Sequence, residues 1–293
     1  MRPKHRLKKV EFYINNTCNL SCAGCNRFND LHFKGWQSWD DYKDDYALWA
    51  TQLPLAEIVI LGGEPLLNPT LPAWISGIQQ LWPRTTIQIL TNGTYLDRVK
   101  GIYELCGLSK NTWIGISVHE EQDFELITEK VYQFLKGPVK ELNLDKNDYW
   151  MGGADRTFVD VNDVMVRLYK QTEFMRNALL PGKEKRFTLH NNQPELAHSN
   201  CGFAQHKNYH FIKGKLYKCG PVALFPELDD QFDLELSDED KQLLRSYKPL
   251  SAQEFNTESD EFFSTLDDVI PQCKFCNTLP DWHPLEFVHK KGK

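Results

Sequence analysis

The sequence predicts an α/β protein built on a parallel sheet. Strand-like apolar runs alternate with amphipathic helical stretches through the first half of the chain, and several of the runs end in glycine-bearing turns. Crossovers repeated in this way close, or partly close, into a barrel, with ligand sites at the C-terminal ends of the strands.

Residues 10–14 are the first strand, and residues 40–53 the first helix, with Tyr42, Tyr46, Leu48 and Trp49 as its apolar marks. The second strand, 57–61, is a buried-type apolar run ended by two glycines, and a helix over 71–81 follows it. Residues 86–90 are the third strand, ending in Thr91-Asn92-Gly93, and residues 95–105 the third helix. The fourth strand spans 113–118. The helix after it, 124–135, carries Ile127, Val131 and Leu135 on one face, as helical spacing requires. Residues 140–144 read as a fifth strand, 161–169 as a helix and 186–190 as a sixth strand. Residues 209–218 read as a hairpin turning at Lys213-Gly214.

At 293 residues, with 41% hydrophobic and 25% charged, the chain can bury one full-sized core and carry a small appended module. No apolar run approaches the roughly twenty residues of a membrane span. The basic opening, Arg2, Lys4, Arg6, Lys8 and Lys9, leads straight into a strand and lacks a secretory h-region. A net charge of −6 gives no general attraction to nucleic acid. The acidic stretch 227–240 holds eight carboxylates without Lys or Arg and reads as a solvated connection.

The chain has eight cysteines, and with no signal peptide in view their spacings argue for metal in a reducing cytosol rather than for disulfides. Cys18, Cys22 and Cys25 lie on one short loop after the first strand. A closed tetrahedral site takes four ligands, so three thiolates leave one coordination position for another molecule. The other reading of these three is a zinc site completed by His5 or His32. Gly62-Gly63-Glu64 follows the second strand; glycines there let a ligand approach the backbone, and Glu64 offers a carboxylate to a cation. Read alone, the glycine pair is equally an ordinary strand-to-helix turn.

The C-x3-C-x2-C loop together with Gly62-Gly63-Glu64 resembles the radical S-adenosylmethionine (radical SAM) superfamily. The resemblance implies a partial (β/α)6 TIM-like barrel over residues 8–190. It implies that Cys18, Cys22 and Cys25 hold three irons of a [4Fe–4S] cluster whose fourth iron binds the methionine part of SAM, and that Gly62, Gly63 and Glu64 contact its ammonium. The implied reaction is reductive cleavage of SAM to a 5′-deoxyadenosyl radical, which takes a hydrogen atom from a substrate. One departure stands out: many members carry an aromatic residue before the third cysteine, where this chain has Gly24. By the same resemblance Thr91 and Asn92 lie near the methionine portion and Ser117 near the ribose, although Thr-Asn-Gly is also good turn chemistry and a lone serine commonly satisfies backbone groups.

Cys201, Cys219, Cys273 and Cys276 form a second set, and four thiolates suffice to close a site. Cys201 and Cys219 flank the hairpin, and Cys273-x2-Cys276 is a tight pair. This layout resembles the start of the SPASM domain in its shortened form, the twitch domain. The resemblance implies an auxiliary [4Fe–4S] cluster in residues 191–293; four cysteines also suit a structural zinc. Cys106 reads as a small buried residue.

A closed auxiliary cluster suits electron acceptance, so the expected activity is net oxidation of a small molecule in the cytosol, with an electron donor such as flavodoxin or ferredoxin. The alternatives are a peptide maturase and a zinc-stabilised, non-catalytic binding protein. Asp145, Tyr149, Trp150, His190 and Asn191, at later strand ends, are candidates for holding the substrate.

Overall fold

The computed structural model describes residues 4–98, 100–142, 153–175, 180–182, 187–278, 282–284 and 288–290. Ten strands join in one open sheet: β1 Leu7–Tyr13, β2 Leu55–Leu61, β3 Thr86–Thr91, β4 Thr112–Val118, β5 Lys140–Leu142, β6 Arg156–Val159, β7 Met165–Lys170, β8 Tyr209–Ile212, β9 Lys215–Tyr217 and β10 Leu250–Ser251. Their order is β10-β9-β8-β1-β2-β3-β4-β7-β6-β5. The central six, β8 to β7, are parallel, and the two flanks are antiparallel. The predicted α/β class with a mostly parallel sheet is what the chain adopts.

Helices α1 Trp39–Gln52, α2 Leu71–Leu81, α3 Ile102–Gly107 and α4 Phe124–Phe134 connect successive strands. Alternation along each strand separates two cores. Val10, Phe12, Ile58, Ile60, Ile87, Ile89, Ile114 and Ile116 pack against Trp49 and Trp74 of the helical layer. Tyr13, Val59, Leu61 and Ile212, on the other face, pack under Phe28 of the cysteine loop and Phe225 and Leu228 of the later helix Gly220–Phe232.

Four expectations need correcting. The third helix starts only at Ile102, after Gly101 at φ 86, because the left-handed glycine interrupts the run of residues 95–105. The helix expected over 161–169 is strand β7, the true parallel neighbour of β4. Val164, Val166 and Leu168 are fully buried, which is a period of two. The turn before it is set by the Asp160 carboxylate, which accepts from Asn162 and Val164 N–H, with Asp163 at φ 60. The fifth expected strand is present only as antiparallel β5 at the sheet edge. Phe187–Thr188 pairs with Leu180–Pro181, outside the main sheet, so the sixth parallel strand is β8 of the predicted hairpin, lying beside β1.

That hairpin turns where expected, with Lys213 at φ 50 and Gly214 at φ 73, the pair of positive angles that a tight two-residue turn needs. The acidic stretch is no plain connection. It is split between helices Gly220–Phe232 and Asp238–Arg245, and Asp229, only 6% exposed, caps Leu234 N–H and pairs with Arg245.

Candidate active site

Where β1 ends, its chain is clamped to β2. Ile14 N–H donates to Leu61 O, Gly63 N–H to Asn15 O at 2.5 Å and Glu64 N–H to Thr17 O at 2.9 Å. Asn15 closes the clamp, its amide donating to Thr17 O and Glu64 O. The two glycines make this approach feasible. A Cβ on Gly62 would lie 2.3 Å from Asn15 O, and one on Gly63 2.5 Å from Thr17 O. The space that Gly62 and Gly63 leave is thus filled first by the cysteine loop itself.

The loop then turns through Gly24 at φ 68 and Phe28 at φ 60; a left-handed φ before the third cysteine favours glycine over the aromatic residue common there. Leu20 N–H lies 3.4 Å from Cys18 Sγ, and the Asn92 amide, which donates to Asn19 at 2.9 Å, lies 3.9 Å from the same sulfur. Residues 288–290 pair antiparallel with 20–22 inside the loop.

All three cysteines, with Gly62, Gly63, Thr91, Asn92 and Ser117, line one cavity of about 630 Å³ at the C-terminal ends of the parallel strands. Glu64 is the exception. It is fully buried beneath this wall, its carboxylate accepting from Leu66 N–H at 2.9 Å, Thr91 Oγ1 at 2.6 Å and Asn92 N–H at 2.8 Å. Burial raises its pKa to about 7 against those three hydrogen bonds, which lower it.

Charged and titratable groups outside the sequence motifs also line the cavity, Glu11, Arg27 and His119 among them. Glu11 of β1 binds Arg27 of the cysteine loop, and His210, opposite Glu11 in register on β8, contacts both, at 2.7 Å from Glu11 and 2.8 Å from Arg27. Though Glu11 is fully buried, the neighbouring His210 and Arg27 hold its carboxyl well below the usual carboxylate range. Burial lowers the pKa of His119, whose Nδ1 lies 3.1 Å from Gln171 O. Motifs offered no signal for Glu11 or Arg27; a charge pair shows itself only once strand and loop meet.

The second cysteine set also comes together. Cys201, Cys219, Cys273 and Cys276 line a small cavity of about 30 Å³, walled by Val222, Phe225, Leu266 and Ile270. Cys219 precedes a 13-residue helix, whose N-terminal dipole favours a thiolate, while burial and the neighbouring Cys201 push the thiol up to about 12. Cys273 and Cys276 sit on one tight turn, with Cys276 N–H donating to Cys273 O. Lys218, 6% exposed, donates to Leu266 O at 2.6 Å and lines the same space. Among the described residues no group of three or more His, Cys, Asp or Glu is gathered as a single-ion site.

Residues 12–141 match the Radical SAM superfamily. A GTP 3′,8-cyclase of Streptomyces coelicolor is 29% identical over 103 residues, 33% of this chain. The chain matches only 29% of that relative's length. Among solved structures, Streptococcus suis SuiB bound to S-adenosylmethionine is 21% identical, over 41% of this chain and 27% of SuiB, at a TM-score of 0.34. BtrN in complex with AdoMet and 2-DOIA is 20% identical, over 46% of this chain and 54% of BtrN, at a TM-score of 0.35.

The radical SAM family implies a [4Fe–4S] cluster and SAM. The first cavity fits them in donor chemistry, with three thiols on one wall and sulfur-directed N–H groups from Leu20 and Asn92, and its volume accommodates a ligand of drug-like size or larger. The histidines that would have completed a zinc site are elsewhere: His5 stacks on Phe263 at 4.4 Å and pairs with Asp260, and His32 is exposed. Of the substrate candidates, His190 and Asn191 do not line the cavity; Asp145, Tyr149 and Trp150 lie outside the described residues. Cys106 is buried, and burial alone takes its thiol to about 12. No helix among the described residues is long and apolar enough to cross a membrane.

Proposed function

We propose that this protein is a cytosolic radical SAM oxidoreductase, with residues 8–190 forming the partial barrel and residues 191–293 a twitch-type domain holding an auxiliary [4Fe–4S] cluster. The observation that carries the reading is the sorting of seven cysteines into two cavities, three with Gly62, Gly63, Thr91, Asn92 and Ser117, and four in an apolar enclosure. With SAM and its cluster bound, the first site supplies a 5′-deoxyadenosyl radical that removes a hydrogen atom from the substrate.

The chain's own residues have separable tasks in this reading. Cys18, Cys22 and Cys25 ligate the first cluster, and Asn92 braces the loop through Asn19. Glu64 holds the Thr91-Asn92 turn and places a carboxylate under the site of the SAM ammonium. Ser117, at the end of β4, faces the ribose. Neutral His119, beside it, is a hydrogen-bonding group of the substrate space. Cys201, Cys219, Cys273 and Cys276 hold the auxiliary cluster, the buried Lys218 ammonium offsetting part of its negative charge. A cluster held by these four cysteines would supply a one-electron acceptor, which favours net oxidation of a small molecule and calls for a flavodoxin- or ferredoxin-type donor.

Anaerobic protein should be brown, contain about eight irons per chain and cleave SAM to 5′-deoxyadenosine. Replacing Cys18, Cys22 and Cys25 together by alanine should abolish cleavage and leave about four irons. Cleavage that persists in this variant overturns the assignment, and colourless zinc protein would instead indicate a binding module.

A further inference from the structure

Among the described residues, Phe203 is the single side chain that lines both cavities. It belongs to the short helix Gly202–Gln205, which starts directly after Cys201. The chain alternates between the two spaces here: Asn200, Gly202, Gln205 and His206 face the large cavity, and Cys201 and Ala204 the small one. The ring is itself held in place. The Arg27 guanidinium lies 5.3 Å from its centroid, and the His210 ring meets it edge-on at 5.6 Å. Arg27 and His210 are in turn tied to Glu11, so one charged cluster orients the partition.

We propose that Phe203 is a positioning residue, the party wall between the substrate space and the auxiliary cluster. It keeps water from the cluster while bringing its Cys201 edge to within one side chain of the substrate. This rests on the two-cluster reading above. A substrate carbon bearing O–H or N–H that has given up a hydrogen atom must still lose one electron and one proton to reach the carbonyl or imine level. The electron crosses at Phe203 and reduces the auxiliary cluster by one electron; the proton goes to water. A thin apolar ring serves both needs, since it excludes solvent, which protects the cluster, and adds little distance for the electron.

The test is iron release from the anaerobic two-cluster protein to a ferrous chelator, with the auxiliary phase identified from the protein lacking Cys18, Cys22 and Cys25. Phe203→Ala joins the cavities and should release the auxiliary iron at least about tenfold faster, against an unchanged first-cluster phase; Phe203→Trp should restore the slow rate. If the alanine variant does not fold, Phe203→Leu should show a smaller acceleration in the same phase. Wild-type rates in the alanine or leucine variant, or equal acceleration of both phases, overturn the proposal. Wild-type protein with only about four irons sinks the auxiliary cluster itself, a separate result read before any variant is made.

Discussion

Glu64 is a carboxylate without exposure, and replacing it by glutamine should leave a signature in pH rather than in a single stability. Its pKa moves from an ordinary 4.5 to about 7 because burial outweighs the three donors around it. The folded state therefore holds a proton that the unfolded chain has already released over that interval, so stability falls as pH rises from about 4.5 to about 7 and stays low above it. At about 1.4 kcal/mol for each pH unit, the whole loss is roughly 3 kcal/mol. Glutamine imitates the protonated acid and titrates nowhere. Glu64→Gln should thus match wild type near pH 5 and exceed it by about 2–3 kcal/mol at pH 9. Urea unfolding under argon, followed by tryptophan fluorescence at pH 5, 6, 7, 8 and 9, measures the difference. A gap between the two proteins that does not change with pH would refute the reasoning, because it would mean that the three hydrogen bonds hold the carboxylate ionised throughout. On the proposed reading the variant removes the carboxylate beneath the site of the SAM ammonium, so the KM for SAM should rise.

Gly63→Ala puts a methyl carbon 2.5 Å from Thr17 O. Backbone must give way, and on the proposed two-cluster reading the expected result is loss of the first cluster's irons in anaerobic reconstitution, with the auxiliary irons retained. Glu11→Gln strips Arg27 and His210 of their shared carboxylate in a buried site. Leaving a buried charge uncompensated costs about 3–5 kcal/mol, to be read from the urea midpoint; a loss below about 1 kcal/mol would show that solvent reaches the pair.

The parts of this fold that sequence could reveal are those with local causes. The runs ending at Leu61 and Thr91 carry their own periodicity and stop signals, and the helix over 71–81 was legible to the residue because Pro72 and the spacing of Trp74, Ile75 and Ile78 agree. Strand β7 falls where the sequence suggests a helix over 161–169, because the turn at Asp160 and the alternation of Val164, Val166 and Leu168 are decided by the sheet. The place of β8 beside β1 depends on a partner nearly two hundred residues away, which no local pattern records. In the candidate site, the cysteines and Gly62-Gly63-Glu64 were readable as motifs. What each glycine accommodates, where the Glu64 carboxylate is spent and the Glu11–Arg27–His210 cluster all arise from packing between distant segments.

The pairing of β8 with β1 bears on how the molecule is made. Until residue 209 has been synthesised, one edge of the strand leading into the cysteine loop exposes its unpaired N–H and C=O groups, an invitation to mispairing with another chain. Contacts so remote in sequence also form slowly. Recovery of native protein should accordingly be limited by how long that edge waits, and slower translation at low temperature with chaperone cover should improve yield more than added iron does.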